Sequence, residues 1–162
     1  MIIDVCCCSA ERRGWLSPVV TYVAYGYLLI GNLDSITSPE LDTRSAPDFA
    51  EVVTEGLIHV QAATHTGDVL LDVTILDGMT DRRTGRGAAA DTLLLPLLSP
   101  TIVVSTFWGL VEGCEVELPE QWTAARVRIT SPRYAEVAAR EREYLPGPHA
   151  DPEEILVEFA PG

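Results

Sequence analysis

The sequence GLIHVQAATHTGDVLLDVTILDG, at residues 56–78, decides the predicted fold class of this chain. Two runs rich in β-branched and aliphatic residues flank a short polar segment, Thr-His-Thr-Gly, that ends in glycine. A tight antiparallel reversal needs such a segment, because glycine adopts backbone angles that other residues avoid. The stretch therefore predicts a β-hairpin that seeds a sandwich of packed sheets.

The predicted hairpin has a definite register. With residues 64–67 as the loop, the apolar pairs on one face are Ile58 with Val73, Val60 with Leu71, and Ala62 with Val69. Side chains alternate across a strand, so the other face carries His59 opposite Asp72. A shift of one residue would bury His59 and expose Val60, so burial should fix this register. We expect one face to pack and the other to meet solvent or a partner.

The rest of the chain predicts more strands and one short helix. Strand patterns cover residues 2–8, 19–30, 92–98, 101–107, 114–118, 122–130 and 155–159. A short helix is predicted from Ser131 and Pro132 to about residue 144, with a strand or an irregular crossing as the alternative. The run at 19–33 is interpreted as a buried strand pair or one long bent strand, and 92–98 as the neighbour of 101–107. We expect Arg126 and Arg128 to face Glu115 and Glu117 across a ladder.

These patterns predict one all-β domain over residues 1–162, a mainly antiparallel sandwich of about eight strands. A hydrophobic content of 47% argues against disorder. Flexible loops are expected near residues 34–50 and 79–91, where polar residues, proline and glycine dominate. The expected core residues are Ile58, Val60, Leu71, Val73, Ile102, Val104, Val116, Val127 and Ile129.

The charge balance is strongly acidic. The chain has 24 acidic residues against 11 basic ones, all arginine, and a net charge of −13. Nucleic acid is an improbable partner, because phosphate binding draws its affinity from Lys and Arg. An excess of carboxylates favours basic proteins or cations, although acidity often serves solubility alone. The candidate partner-binding residues are Asp68, Asp72, Glu115 and Glu117.

Cysteine usage indicates a reducing compartment. Cys6, Cys7 and Cys8 are consecutive and Cys114 is remote, which is not the spacing of a disulfide framework. No basic region precedes an apolar segment at the amino end, as an export signal would require. The interrupted run at 19–33 falls short of the roughly 20 apolar residues of a membrane helix. We expect a cytoplasmic protein with no membrane contact.

The histidines offer the best candidate for chemistry. His59 facing Asp72, with His65 in the loop, could form a ligand or metal site, since a carboxylate can orient an imidazole. A zinc site needs three or four converging ligands, and these three residues have no recognised spacing. His149 is remote in sequence, and no serine lies in a nucleophile-elbow pattern. We assign no catalytic residue and no cofactor.

Three functions are compatible with this sequence. The favoured one is a non-enzymatic acidic interaction module, an inhibitor or immunity factor that binds a basic protein. The second is a metal- or small-ligand-binding protein that uses His59, His65 and Asp72. The third is a structural subunit of an assembly, with the apolar residues 92–107 as its interface. The sequence does not fix the oligomeric state.

The order of features from residue 56 to 130 carries a resemblance. The hairpin is followed by a flexible loop, the apolar residues 92–107, Val-Glu-Leu-Pro at 116–119 and Thr-Ala-Ala-Arg-Val-Arg-Ile at 123–129. This order resembles uncharacterised acidic β-sandwich proteins of actinobacteria and, more distantly, competence protein J, an inhibitor of a secreted nuclease. The resemblance implies a β-sandwich and an inhibitory role, and it transfers no functional residue.

Overall fold

The computed structural model describes residues 12–15, 17–37, 47–143 and 151–162. In chain order its first strands are β1 (Arg12–Trp15), β2 (Val19–Ala24), β3 (Tyr27–Gly31), β4 (Ala50–Thr54), β5 (Leu57–Gln61) and β6 (Thr66–Leu76). The later ones are β7 (Ala89–Pro96), β8 (Thr101–Thr106), β9 (Gly109–Leu110), β10 (Val116–Glu117), β11 (Ala124–Ser131) and β12 (Glu153–Pro161). The described residues also contain two helices, α1 (Leu33–Ile36) and α2 (Tyr134–Glu143).

The strands form two sheets, which confirms the all-β prediction. The first sheet has the order β1-β6-β12-β11-β7, and β2 also pairs with β6. The second has the order β10-β8-β3-β5-β4, and β9 pairs with β8. The pairs are antiparallel apart from β6 with β12, which run parallel. The described residues hold twelve strands instead of about eight, because β1, β9 and β10 are short pieces at the sheet edges.

The core lies between the inner faces of the two sheets. All nine expected core residues are buried and belong to one hydrophobic cluster that draws on both sheets. Each fully buried Val, Leu or Ile contributes about 1.5–3 kcal/mol relative to an exposed side chain. The core prediction is confirmed because strand alternation is a local property of the sequence.

The predicted hairpin at residues 56–78 is wrong in its pairing. Strand β5 pairs with β3 and β4 in the second sheet. Strand β6 pairs with β1, β2 and β12 in the first sheet. Residues 62–65 therefore cross between the sheets, and Ile58 and Val73 enter the core from opposite sides. In a sandwich, the apolar face of a strand is buried whether the next strand pairs with it in the same sheet or lies in the facing sheet. The alternation of apolar and polar residues therefore does not predict which of the two occurs.

A buried carboxylate holds this crossover. Glu153, at the start of β12, is 2% exposed. Its Oε2 accepts a hydrogen bond of 2.7 Å from the backbone N–H of Thr64. Its Oε1 accepts bonds from the N–H of Ala63 at 3.1 Å and from the hydroxyl of Ser131 at 2.8 Å. These three donors compensate the desolvation of the carboxylate, so Glu153 fixes the point at which the chain changes sheets.

The strand pair predicted around Ser99 is wrong for the same reason. Strand β7 pairs with β11 in the first sheet, whereas β8 pairs with β3 in the second. The amide of Asn32, which is buried, donates to the carbonyl oxygens of Ser99 at 2.9 Å and Thr101 at 2.8 Å. Its Oδ1 accepts from the N–H of Leu98 at 2.9 Å. Asn32 thus holds this second crossover.

The predicted ladder of arginines and glutamates is also wrong. Arg126 and Arg128 lie on β11 between β7 and β12, whereas β10 pairs with β8 in the other sheet. Arg128 instead donates from Nε to Glu158 at 2.7 Å and from Nη1 to the carbonyl of Thr80 at 2.6 Å.

The remaining predictions have mixed outcomes. Helix α2 and strand β12 lie where they were expected. Residues 19–33 contain two strands, β2 and β3, but their expected pairing is wrong because they lie in different sheets. Helix α1 overlaps the start of the loop expected at 34–50. The predictions for Cys6, Cys7, Cys8, His149 and the strand at residues 2–8 lie outside the described residues.

Candidate binding surface

The structure places the three candidate ligand residues in separate parts of the fold. His59 lies in the middle of β5 in the second sheet, opposite Leu29 and Glu51. Asp72 lies on β6 in the first sheet, and His65 is exposed in the crossover between them. The predicted contact of His59 with Asp72 is therefore wrong. Within the described residues no three His, Cys, Asp or Glu side chains are grouped to hold a metal ion.

His59 is a buried residue of the second sheet and not a surface group. It is 1% exposed, and its ring packs against that of Tyr27 with 5.0 Å between centroids. Neither ring nitrogen has a hydrogen-bond partner among the described residues. Burial lowers the pKa of the imidazole, and the carboxylate of Glu51 partly opposes this. His59 is thus held neutral inside the fold.

The four candidate partner-binding carboxylates lie on three segments. Asp68 is exposed on β6, directly opposite Tyr22 of the neighbouring β2. Glu115 and Glu117 are exposed in and before β10, and Glu117 accepts a bond of 2.7 Å from the hydroxyl of Thr101. Asp72 is half-buried further along β6. The structure therefore brings Asp68, but not the whole set, next to the surface described below.

A group of exposed apolar side chains forms the most distinctive surface of the described residues. Each of its members is between 50% and 70% exposed. We call it the aromatic patch, and it consists of Val20, Tyr22, Tyr25, Phe107, Trp108 and Leu110. Exposed apolar side chains that cluster in this way are typical of binding surfaces, whereas single ones are common on any protein.

Four members of the aromatic patch line an open groove of about 470 Å³. Val20 and Tyr22 come from β2 of the first sheet, whereas Trp108 and Leu110 come from the hairpin of β8 and β9 in the second sheet. The ring of Phe107 links this groove to Tyr25. Its centroid lies 5.3 Å from that of Trp108 and 5.6 Å from that of Tyr25, both in edge-to-face contact.

Two turns place these rings at the surface. Phe107 and Trp108 are the central residues of the hairpin between β8 and β9, where Thr106 pairs with Gly109. Gly109 has a φ of 117°, which a residue with a side chain rarely adopts. The N–H of Trp108 donates to the hydroxyl of Thr106 at 3.2 Å. Both rings therefore project from the tip of a short, hydrogen-bonded hairpin.

The second turn joins β2 to β3 and places Tyr25 in the left-handed region. Its φ is 60°, the one positive φ of a non-glycine residue among the described residues. The turn is attached to the first crossover, since the N–H of Gly26 donates to the carbonyl of His65 at 2.7 Å and Gln61 Nε2 donates to the carbonyl of Tyr25 at 2.9 Å. The conformation costs about 1–2 kcal/mol for a residue with a Cβ. The surrounding contacts thus hold a bulky ring in a strained, exposed position.

Carboxylates flank the aromatic patch. Glu112 lines the same groove as Trp108. On the other side of Tyr22 a second cleft, of about 350 Å³, is lined by Asp68, Glu141 and Asp151 together with one basic residue, Arg140. The patch therefore combines aromatic rings with a rim of mainly negative charge.

The sequence pattern does not predict this surface. The apolar content of residues 19–33 indicates a buried segment, but β2 has one paired neighbour, β6, among the described residues and exposes alternate side chains. The available signal was an aromatic residue next to a turn glycine, at Tyr25-Gly26 and at Trp108-Gly109. Turns of this kind lie at the surface, so their aromatic rings are exposed.

Comparison with known proteins gives similarity in fold alone. No family model and no curated protein matches the chain. The chain superposes on the crystal structure of ComJ from Bacillus subtilis with a TM-score of 0.63 and 11% identity, over 94% of this chain and 100% of that one. The fold is similar to that of ComJ. This similarity confirms the distant resemblance to competence protein J.

ComJ is an inhibitor of the DNA degrading activity of NucA. A second similar structure, the product of crocagin biosynthetic gene J, has a TM-score of 0.60 and 14% identity, over 90% of this chain and 96% of that one. In the described residues, neither helix has the length and apolar character needed to cross a bilayer.

Proposed function

We propose that this protein is a non-enzymatic interaction module that binds a basic protein, as an inhibitor or immunity factor does. The observation that carries the proposal is the aromatic patch with its rim of carboxylates. Trp and Tyr side chains contribute most of the binding energy at many protein interfaces, because they bury a large area with little loss of side-chain freedom. Three side chains of this kind, Trp108, Tyr22 and Tyr25, are at least half exposed in the patch, and Val20, Phe107 and Leu110 extend its apolar area.

The charge of the chain supports a basic protein as the partner. A net charge of −13 attracts basic proteins and raises their association rate at low salt. The same charge repels nucleic acid and anionic lipid. Asp68, Asp72, Glu115 and Glu117 are proposed to contribute to this attraction, and Glu112 joins them because it lines the groove.

The shared fold supports an inhibitory role but is not sufficient evidence for it. ComJ inhibits a nuclease, and one fold can serve unrelated functions. The proposal therefore rests on the composition of the surface.

We also propose a cytoplasmic location. In support, Cys114 is buried and forms no disulfide, and free thiols are typical of reducing compartments.

The alternative of a metal- or ligand-binding protein has less support, because His59, His65 and Asp72 lie apart in the described residues. The alternative of a structural subunit stays a prediction. Residues 92–107, its expected interface, are divided between the two sheets.

Affinity capture from the source lysate, followed by calorimetry with the purified partner, tests the proposal. We expect a basic protein in a defined stoichiometry, with a Kd that rises at least about tenfold between about 50 and about 500 mM salt, since screening weakens steering and rim contacts. A partner of acidic or neutral charge, or an affinity that salt leaves unchanged, would contradict it.

A further inference from the structure

We propose that the groove of the aromatic patch receives an arginine side chain of the basic partner, stacked on Trp108 and paired with the carboxylate of Glu112, while Asp68 adds to the attraction from the neighbouring cleft. This inference rests on the proposed function, because it names the chemistry by which the partner is recognised.

The geometry of the groove fits a planar cation. Trp108 is 70% exposed, so a large part of its indole ring is free to be covered. It lines the groove together with Tyr22, and the volume of about 470 Å³ is large enough for a guanidinium group and its aliphatic stem. Val20 and Leu110 provide apolar walls along which such a stem can pack.

The charges at the groove are complementary to arginine. Of the described residues that line it, one is charged, and that residue is Glu112. Asp68 lies directly opposite Tyr22 in the ladder of β2 with β6, on the other side of the same ring. A cation in the groove is therefore attracted directly by Glu112 and at longer range by Asp68, which lines the cleft beyond Tyr22.

Arginine fits this arrangement better than lysine. The guanidinium group is planar, so it stacks on an aromatic face while its edge donates paired hydrogen bonds to a carboxylate. Trp is the aromatic residue that attracts a cation most strongly. A lysine ammonium group is more strongly hydrated and lacks both the flat face and the fixed pair of donors.

The strained turn at Tyr25 is an independent observation that points to the same surface. Glycine would adopt a φ of 60° without strain, yet the chain has an exposed tyrosine there. Its ring touches those of Phe107 and His65, with centroids 5.6 and 5.4 Å apart. This side chain is kept exposed at a conformational cost, and its ring extends the surface available to a partner.

The other occupants of such a patch are disfavoured by charge. A second copy of this chain carries the same net charge of −13 and would bring Glu112 and Asp68 of both copies towards each other. An anionic membrane surface would repel the same carboxylates. A basic protein segment is the occupant that satisfies both the rings and the charges.

A peptide titration tests this inference without the natural partner. The ¹⁵N-labelled protein is titrated with three short peptides of equal length that carry two arginines, two lysines or two glutamates between glycines. We expect the arginine peptide to shift the indole N–H signal of Trp108 and the amide signals of Tyr22 and Leu110 saturably. The lysine peptide should bind several-fold more weakly, and the glutamate peptide should leave these signals in place.

Matched variants make the test specific. Trp108→Ala should abolish the saturable shifts, and the pair Asp68→Asn with Glu112→Gln should weaken arginine binding several-fold. Leu94→Ala removes an equally exposed apolar side chain from β7, at the far edge of the first sheet. The pair Asp81→Asn with Glu55→Gln removes the same two types of carboxylate from exposed positions elsewhere. Neither control should change binding by more than about twofold.

Three results would overturn the inference. They are the absence of saturable shifts with the arginine peptide, equal binding of the lysine peptide, and equal effects of the two charge-neutralising pairs.

The proposed function can fail independently of the arginine site. If a basic partner binds in a salt-sensitive way and Trp108→Ala leaves its affinity unchanged, the interaction module stands and the arginine site does not. If the peptides behave as expected but every captured partner is acidic or neutral, the arginine-binding groove stands and the proposed interaction with a basic protein does not.

Discussion

The carboxylate of Glu153 accepts a hydrogen bond of 2.7 Å from the backbone N–H of Thr64, although 89 positions separate the two residues. This bond joins the start of the last strand to the crossover between the sheets. The same crossover holds the turn of Tyr25, because His65 accepts from the N–H of Gly26 at 2.7 Å. A buried charge thus stabilises the part of the fold that carries one side of the aromatic patch.

Replacement of Glu153 by alanine should destabilise the protein by about 3–5 kcal/mol, because it leaves the N–H groups of Ala63 and Thr64 and the hydroxyl of Ser131 without their acceptor. Glu153→Gln keeps one oxygen acceptor and should cost less. Urea unfolding followed by fluorescence measures both values.

The matched control is Glu154→Ala, since Glu154 is the exposed neighbour on the same strand. It should change the free energy of unfolding by no more than about 0.5 kcal/mol. If Glu153→Ala costs as little as Glu154→Ala, the carboxylate does not hold the crossover.

Tyr25→Gly should leave the free energy of unfolding unchanged or raise it by up to about 1 kcal/mol. Glycine relieves the positive φ, and the ring contacts that are lost lie at the surface. Thermal unfolding measures the effect, and the same variant should bind the partner more weakly.

Tyr22→Gly provides the comparison, because Tyr22 lies within strand β2 and not in a turn. Glycine inside a strand weakens it, so this variant should lose stability. A larger loss for Tyr25→Gly than for Tyr22→Gly would show that the turn at Tyr25 is not strained.

The pH dependence of the free energy of unfolding should reflect the burial of His59. Burial lowers its pKa in the folded protein below the ordinary value of 6.5, despite the opposing carboxylate of Glu51. Its contribution to stability is therefore complete above pH 6.5, where the imidazole is neutral in both states. It is lost as the pH falls below that value towards the folded pKa, because the unfolded chain then binds the proton more readily.

Unfolding free energies of the wild type and of His59→Leu, measured between about pH 5 and pH 8, isolate this effect. The variant should retain more of its stability at the acidic end, and it also removes two ring nitrogens that have no partner among the described residues. His65→Gln, at an exposed position, should follow the wild type. Parallel curves for the wild type and His59→Leu would contradict the prediction.

The sequence predicts the faces of the strands well and their partners poorly. Ile58 and Val73 were expected to be buried and are, because alternation along one strand decides which side is apolar. Their pairing depends on where residues 62–65 lead, and the decisive contact is made by Glu153, which is remote in sequence. Local patterns contain no information on that contact, so a crossover was predicted to be a hairpin.

The candidate site illustrates the same limit. His59 was expected on an exposed face, but it lies in β5 between β3 and β4 and is buried. Tyr22 was expected to be buried in an apolar run, but β2 has one paired neighbour among the described residues and exposes it. Whether a strand is central or at an edge is a property of the whole sheet. The acidic character, in contrast, follows directly from composition.

The most direct test of the central claim is the affinity of Trp108→Ala for the captured basic partner, measured by calorimetry at low salt beside the wild type and Leu94→Ala. A binding surface centred on the aromatic patch predicts a loss of at least about 30-fold in affinity for Trp108→Ala, the size of effect found at interface hot spots, and less than about twofold for Leu94→Ala. Equal affinities for the wild type and Trp108→Ala would contradict it.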